Sequence, residues 1–320
     1  MKDMMKRFTK SSIIPILILL AAILVLFSFL SPNFMTKNNI MNVLRQVSMI
    51  GIAGCGMIVV LLSGGLDLSI GAMVTFINVL CATMMVKGGM NPILACLLGV
   101  ILATILGTVN GILIARFNFL PFITTLCMQY VLRGCSYILT DSQPIYGFDE
   151  KFKVIGQGYF LGIPIPVIIM VILAIITGIF LRRTYTGRYF YYLGGNEEAA
   201  KLSGVNTGLM KMLAYTLTGF FTGIAAIVWL SRVNSGQPST GLNFEFDVIC
   251  ALVLGGVSVA GGEGGILGAM IGVIAIGFLN NGMTMINLSE YHQMVVKGIV
   301  LLLAIAMDRV KRSMKQKTKA

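Results

Sequence analysis

Charge is scarce in this chain: Asp, Glu, Lys and Arg make up only 11% of its 320 residues, less than half the share (about a quarter) that a soluble domain carries. Histidine occurs once, as His292, so no HExxH zinc pair exists. The dipeptide Gly-Lys is absent, which removes a P-loop for nucleotide phosphates, and no G-x-S-x-G nucleophile elbow is present. The six cysteines (Cys55, Cys81, Cys96, Cys127, Cys135 and Cys250) include no CxxC pair and lie in apolar stretches, where they serve as small packing residues. No metal or organic cofactor and no enzymatic activity of the chain's own is expected. Any energy from ATP would have to come through another chain.

What the sequence has instead is apolar length. Hydrophobic residues reach 57%, gathered in blocks such as Ile13 to Leu30 and Ile163 to Leu181, long enough to cross a hydrocarbon core of about 30 Å. An all-α polytopic membrane protein follows, forming one transmembrane domain over residues 1–320. Polar and Gly/Pro breaks divide it into about ten spans, near 13–30, 47–62, 70–86, 93–115, 122–139, 163–181, 212–230, 247–260, 266–281 and 292–307. The stretch from Asn33 to Arg45 is too polar to cross and is expected at the interface. The first block follows Lys2, Lys6, Arg7 and Lys10, like a signal peptide, but it runs too long and lacks a small-x-small cleavage site. It is expected to be retained as the first span.

The net charge of +12 sits in short loops and at the chain ends, without interleaved aromatic residues, which argues against a nucleic-acid partner. With both termini cytoplasmic, sixteen basic residues fall inside and six outside, the asymmetry of the positive-inside rule. Only Arg133 and Lys297 remain, both within spans.

The chain also matches itself. Gly51-Ile52-Ala53 recurs as Gly223-Ile224-Ala225, and Gly107-x-x-Asn110-Gly111 as Gly277-x-x-Asn280-Asn281-Gly282. Gln129-x-x-x-Arg133-Gly134 recurs as Gln293-x-x-x-Lys297-Gly298. The offsets of 172, 170 and 164 residues are collinear and enclose five spans, an odd number, so the second half is expected to be inverted.

Between the sixth and seventh spans lies a cytoplasmic loop, 182–211. Asn196 is suited to cap a short helix, with Glu197 and Glu198 in its first turn, Ala199 and Ala200 following, and Gly204 as a left-handed stop. The two alanines would let a partner's groove approach closely. Polar residues inside spans are candidates for a translocation pathway. They are Asn78, Asn110, Gln129, Arg133, Asn280, Asn281 and Lys297, together with Asp67 in a Gly-rich break. The Asn and Gln side chains also suit helix-to-helix hydrogen bonding, and Arg133 could pair with Asp67 simply to hold helices together.

Glu198-Ala199-Ala200-x-x-x-Gly204 resembles the EAA-x3-G core of ABC-importer permeases, although the I-x-L-P ending of the wider pattern is absent. The string TGRYFYYLGGNEEAAKLSGVN (Thr186–Asn206) is similar to the ribose/xylose/galactose permease family of those importers. So are SGGLDLSIG (Ser63–Gly71), LVLGGVSVAGGEGGILGAMIG (Leu252–Gly272) and the stretch from Leu279 to Arg309. This resemblance implies a fold like the ten-helix vitamin B12-type importer permeases. It also implies a second permease copy, forming a homodimer, a cytoplasmic ABC ATPase docking on residues 196–204, and an extracytoplasmic sugar-binding protein, all at a bacterial cytoplasmic membrane. A proton-coupled secondary transporter, with Asp67 as the carrier, is the alternative.

Overall fold

The protein, described here over residues 2–317 by a computed structural model, is built almost wholly of helices. Side chains of residues 2–13, 307 and 310–317 lie outside that description, and with them most of the terminal basic residues counted as inside. Thirteen helices are present among the described residues. The early ones are α1 (Lys2–Leu30), α2 (Lys37–Leu62), α3 (Ile70–Ala82, continued by a π turn Thr83–Lys87), α4 (Pro92–Arg116), α5 (Pro121–Thr140) and α6 (Glu150–Gln157). A two-residue hairpin of β1 (Tyr159–Phe160) and β2 (Ile163–Pro164) leads into α7 (Ile165–Arg183), α8 (Tyr185–Gly195), α9 (Glu197–Leu202), α10 (Thr207–Val233), α11 (Phe244–Leu254), α12 (Ile266–Met285) and α13 (Glu290–Lys317).

Helix starts follow local chemistry. Asn91 caps α4 by accepting the Ile93 N–H at 2.9 Å, and Pro92 and Pro121 occupy first helical positions, where the missing N–H is no loss. Thr36 caps α2, so most of the polar stretch Asn33–Arg45 is helical. From Lys37 onward it is the first turns of α2. Its Asn39 is buried because it exchanges two hydrogen bonds with Asn281 of α12, at 2.8 and 3.0 Å.

Six helices are long and apolar enough to cross a membrane: α2, α3 with its π turn, α4, α7, α10 and α12; the apolar part of α1, Ile14–Leu30, is shorter. The protein is a polytopic helical membrane protein. The apolar window of α2 is 83% buried and that of α4 only 22%, which puts α2 at the centre and α4 at the rim. Where a helix buries only one side, the rest must face lipid or another chain. Small residues permit the close packing. Gly56 of α2 lies against the backbone of Thr218 on α10, where an added methyl would come within 2.6 Å of its Cα.

The sequence repeat reappears as repeated contacts. Gly107 of α4 abuts Gly219 of α10, and at the same offsets Gly277 of α12 abuts Val47 of α2. Gly223 of α10 packs on Val100 of α4, and Gly51 of α2 correspondingly meets Met270 of α12.

The eighth expected span, 247–260, is where the structure departs most from the sequence reading. Residues 234–243 descend beside α3 as irregular backbone. Gly236 lies against Ala82, and Thr240 and Gly241 lie against Gly71 and Thr75. Only then does α11 begin, and it stops at Leu254. Eleven residues of helix reach about 16 Å, half of a hydrocarbon core. The chain then runs as loop to Gly265, with Gly256, Gly261, Gly262 and Gly264 at φ of +85°, +87°, +74° and +141°. A side chain with a Cβ would be strained at all four, so this stretch cannot be helix.

Candidate translocation site and coupling loop

Irregular backbone at membrane depth is tolerated where protein or a wet cavity satisfies it. In this structure it delivers two acids into the interior. Glu245 and Asp247 occupy the first turn of α11, where the helix dipole favours carboxylates. Glu245 is 2% exposed. Its Oε1 accepts a 2.8 Å hydrogen bond from Gln129 Nε2 on α5. Arg133, one turn further along α5, acts electrostatically on the same carboxylate. Asp247 faces Lys297 of α13, whose Nζ lies 2.8 Å from Oδ1 and 3.0 Å from Oδ2. A methyl on Gly71 would overlap Glu245 Oε2, so the first turn of α3 must be bare to admit the acid.

Three residues expected in a pathway, Gln129, Arg133 and Lys297, thus converge on one short helix. Glu245 and Asp247 were missed by the sequence reading. Their signal was Phe244-Glu-Phe-Asp247 at the head of an apolar stretch, in a chain with twelve acids in all.

The other candidates separate from this cluster. Asp67 is fully buried, and its Oδ1 accepts from Ser69 N at 2.9 Å and Ser69 Oγ at 2.6 Å. Asn110 donates to Ser69 Oγ at 3.0 Å, joining α4 to the same knot. Pairing of Asp67 with Arg133 is therefore corrected: Ser69 holds the acid. Asn281 fastens α12 to α2 through Asn39, and its neighbour Asn280 is buried. Asn78 is buried, with both side-chain polar atoms lacking a hydrogen-bond partner among the described residues. Cys127 and Cys135 lie exposed on α5 rather than packed inside.

The loop helix has the expected ends. Asn196, in extended backbone, accepts the Ala199 N–H at 2.9 Å, and Gly204 closes α9 at φ +82°. Val205 N–H reaches back to Ala200 O at 3.1 Å, a Schellman-type stop. The two alanines do not share a face, contrary to expectation. Ala199 is exposed, whereas Ala200 is buried within the chain's own fold. Leu202, on the outward side, is 90% exposed. Glu197 ties α9 to α10 through Lys211 at 2.6 Å, and both line a cleft of about 300 Å³ with Ser63, Asn118 and Tyr215.

Behind α9 the backbones touch. Gly194, at the end of α8, meets Gly64 and Gly261, where an added methyl on Gly261 would lie 2.8 Å from Gly194 Cα and 2.9 Å from Gly64 Cα. Gly262 N–H donates to Leu62 O at 2.9 Å. The loop that ends α11 is thus in bare contact with the helix that carries α9.

The chain matches the family described as branched-chain amino acid transport system / permease component over residues 39–305. It is 44% identical to the ribose import permease protein RbsC of Bacillus subtilis, covering 90% of each chain. It is 40% identical to the ribose import permease protein RbsC of Escherichia coli K12, covering 95% of this chain and 94% of that one. With the L-arabinose transport system permease protein AraH of Escherichia coli K12 the identity is 36%, over 94% and 91%. No solved structure matches the chain. A polytopic helical protein with a short helix, α11, set against a polar cluster, matching these permeases nearly end to end, belongs to the branched-chain amino acid transport system / permease component family as a transport subunit rather than an enzyme.

Proposed function

We propose that this chain is the permease of an ATP-driven importer that carries a monosaccharide across a bacterial cytoplasmic membrane by alternating access. The observation that carries the reading furthest is the broken span. An interrupted helix places Glu245 and Asp247 opposite Gln129, Arg133 and Lys297, a cluster able to bind hydroxyls. The relatives named for ribose and arabinose supply the substrate class. Ten spans, an inverted repeat and cytoplasmic termini form the topology, supported by the paired contacts at matching offsets and the basic asymmetry. The fold is of the vitamin B12-importer kind. Two copies would enclose the pathway, with an extracytoplasmic sugar-binding protein delivering substrate and a separate ABC ATPase seated on the exposed face of α9.

Asp67, Asn110 and Asn280 would then support the pathway rather than touch the sugar. A proton-coupled carrier would need Asp67 to exchange protons with water on both sides, and its burial under Ser69 argues against that. Uptake of labelled pentoses and hexoses by a strain deleted for this chain, with and without its restoration, tests the reading. Restored uptake of one monosaccharide is expected, and no sugar restored across the panel would refute it.

A further inference from the structure

We infer that Glu245 and Arg133 form the hydroxyl-binding station for the transported sugar, with Gln129 and the Asp247–Lys297 pair as its frame. This rests on the sugar-import reading and goes beyond it by naming the contacts.

The argument begins with what is left open. Glu245 is nearly wholly buried, yet its Oε2 has no hydrogen-bond partner among the described residues. Arg133 Nη1 is also buried and also without a partner among them. An unpaired buried charge is expensive, and a fold that needed only a lock between α5 and α11 would bring these two groups into direct contact. Instead Gln129 takes Oε1 at 2.8 Å, which holds the carboxylate and leaves Oε2, beside Gly71, without a hydrogen-bond partner among the described residues. α11 therefore offers one acceptor and α5, one turn beyond the Gln129 bond, one donor, each without a partner among the described residues.

The chemistry of the ligand follows from the charge count. Two acids, Glu245 and Asp247, stand against two cations, Arg133 and Lys297, and Asp247 and Lys297 satisfy each other. The cluster is balanced, so it favours neither an anion nor a cation. A carboxylate oxygen and a guanidinium N–H together suit a group that donates and accepts at once, which a sugar hydroxyl or vicinal diol does. The backbone agrees with this. Gly71 and Gly241 meet where Glu245 enters, and the unwound 234–243 segment brings the acid in from a half-helix end. Half-helix termini at mid-depth are where transporters place substrate contacts.

The test uses the complete complex in proteoliposomes: permease, its ATPase chain, the binding protein and enclosed or external ATP as orientation requires. D-ribose, L-arabinose and D-allose are the probe sugars. For whichever is carried, Glu245→Gln and Arg133→Lys should each lower Vmax about ten- to a hundredfold, the loss expected for hydrogen bonds to a charged group. The concentration of sugar-loaded binding protein giving half-maximal rate should stay as in the wild type, because the contact forms after delivery. The amount of each variant in the membrane should also stay unchanged. Wild-type Vmax in both variants would overturn the station. Loss of both variants from the membrane would overturn it as well, in favour of a structural lock. If the wild type carries none of the three sugars but carries L-leucine, the sugar reading itself falls and the station with it, an outcome separable from the others because it is seen before any mutation.

Discussion

Single residues carry the polar logic of this protein, because each charge inside a membrane must have a reason. Lys297 is the clearest case, with Asp247 at 2.8 Å and both side chains largely covered. Lys297→Met should leave Asp247 unpaired, at a penalty towards the lower part of the roughly 3–5 kcal/mol seen for broken buried pairs. Thermal unfolding of the purified permease should register it, and Asp247→Asn in the same chain should recover much of the loss. An unchanged melting temperature for the single variant would mean that the pair contributes nothing. Arg133→Met should reduce uptake more strongly than Lys297→Met, since Arg133 has an open donor and Lys297 does not. Equal transport by the two variants, measured at equal membrane levels, would speak against that ranking. Gln129, Arg133 and Lys297 were legible in the sequence because a polar group in an apolar run stands out. Asp67 and Asn110 stood out equally, yet they knot a turn through Ser69. Asp67 Oδ2 and Asn110 Oδ1 also lack partners among the described residues, but nothing in a linear sequence shows that their other atoms are held by a neighbour two residues away or on the next helix.

At the scale of elements, most long helices were readable from apolar length bounded by Pro, Asn and Arg, as α4 illustrates from Asn91 to Arg116. The half-helix α11 was not, because an apolar run bounded by glycines looks the same whether it is wound or partly unwound. Its glycines at positive φ were visible as residues but not as conformations. The loop helix was read correctly at both ends from Asn196 and Gly204, while the split between Ala199 and Ala200 depended on packing against the rest of the chain. Leu202→Asp or Ala199→Arg should abolish ATP-coupled uptake with the protein still inserted, because both side chains point away from the fold. Gly204→Val should act through backbone alone. Nothing lies within 4 Å of its would-be Cβ, but a β-branched residue resists φ of +82°. Normal coupled transport by all three variants would remove α9 from the coupling route. Gly194→Val attacks the next link, where α8 touches the loop ending α11, and should uncouple ATP hydrolysis from uptake even with α9 intact. Retained coupling in that variant would show that α11 is not driven from this side.

At the scale of the whole molecule, the loops sort into two ends. Gly64, Asn118, Gly194 and Gly261 gather at one. Arg45, Gln157 and Arg232 are joined at the other, where Arg45 Nη2 donates to Gln157 O at 3.0 Å and Gln157 Nε2 to Arg232 O at 2.9 Å. α9 and the α11 loop lie together at the first of these ends. A cysteine introduced at Ser203, with the native cysteines removed, should resist an impermeant thiol reagent in intact cells and react once the membrane is opened. The measurement that bears most directly on the whole molecule is sugar uptake into proteoliposomes, comparing permease with binding protein alone against the same vesicles supplied with the ATPase chain and ATP. Accumulation that requires the ATPase chain and hydrolysable ATP, and that survives a protonophore, is the result predicted. Accumulation without the ATPase chain, abolished by the protonophore, would contradict it.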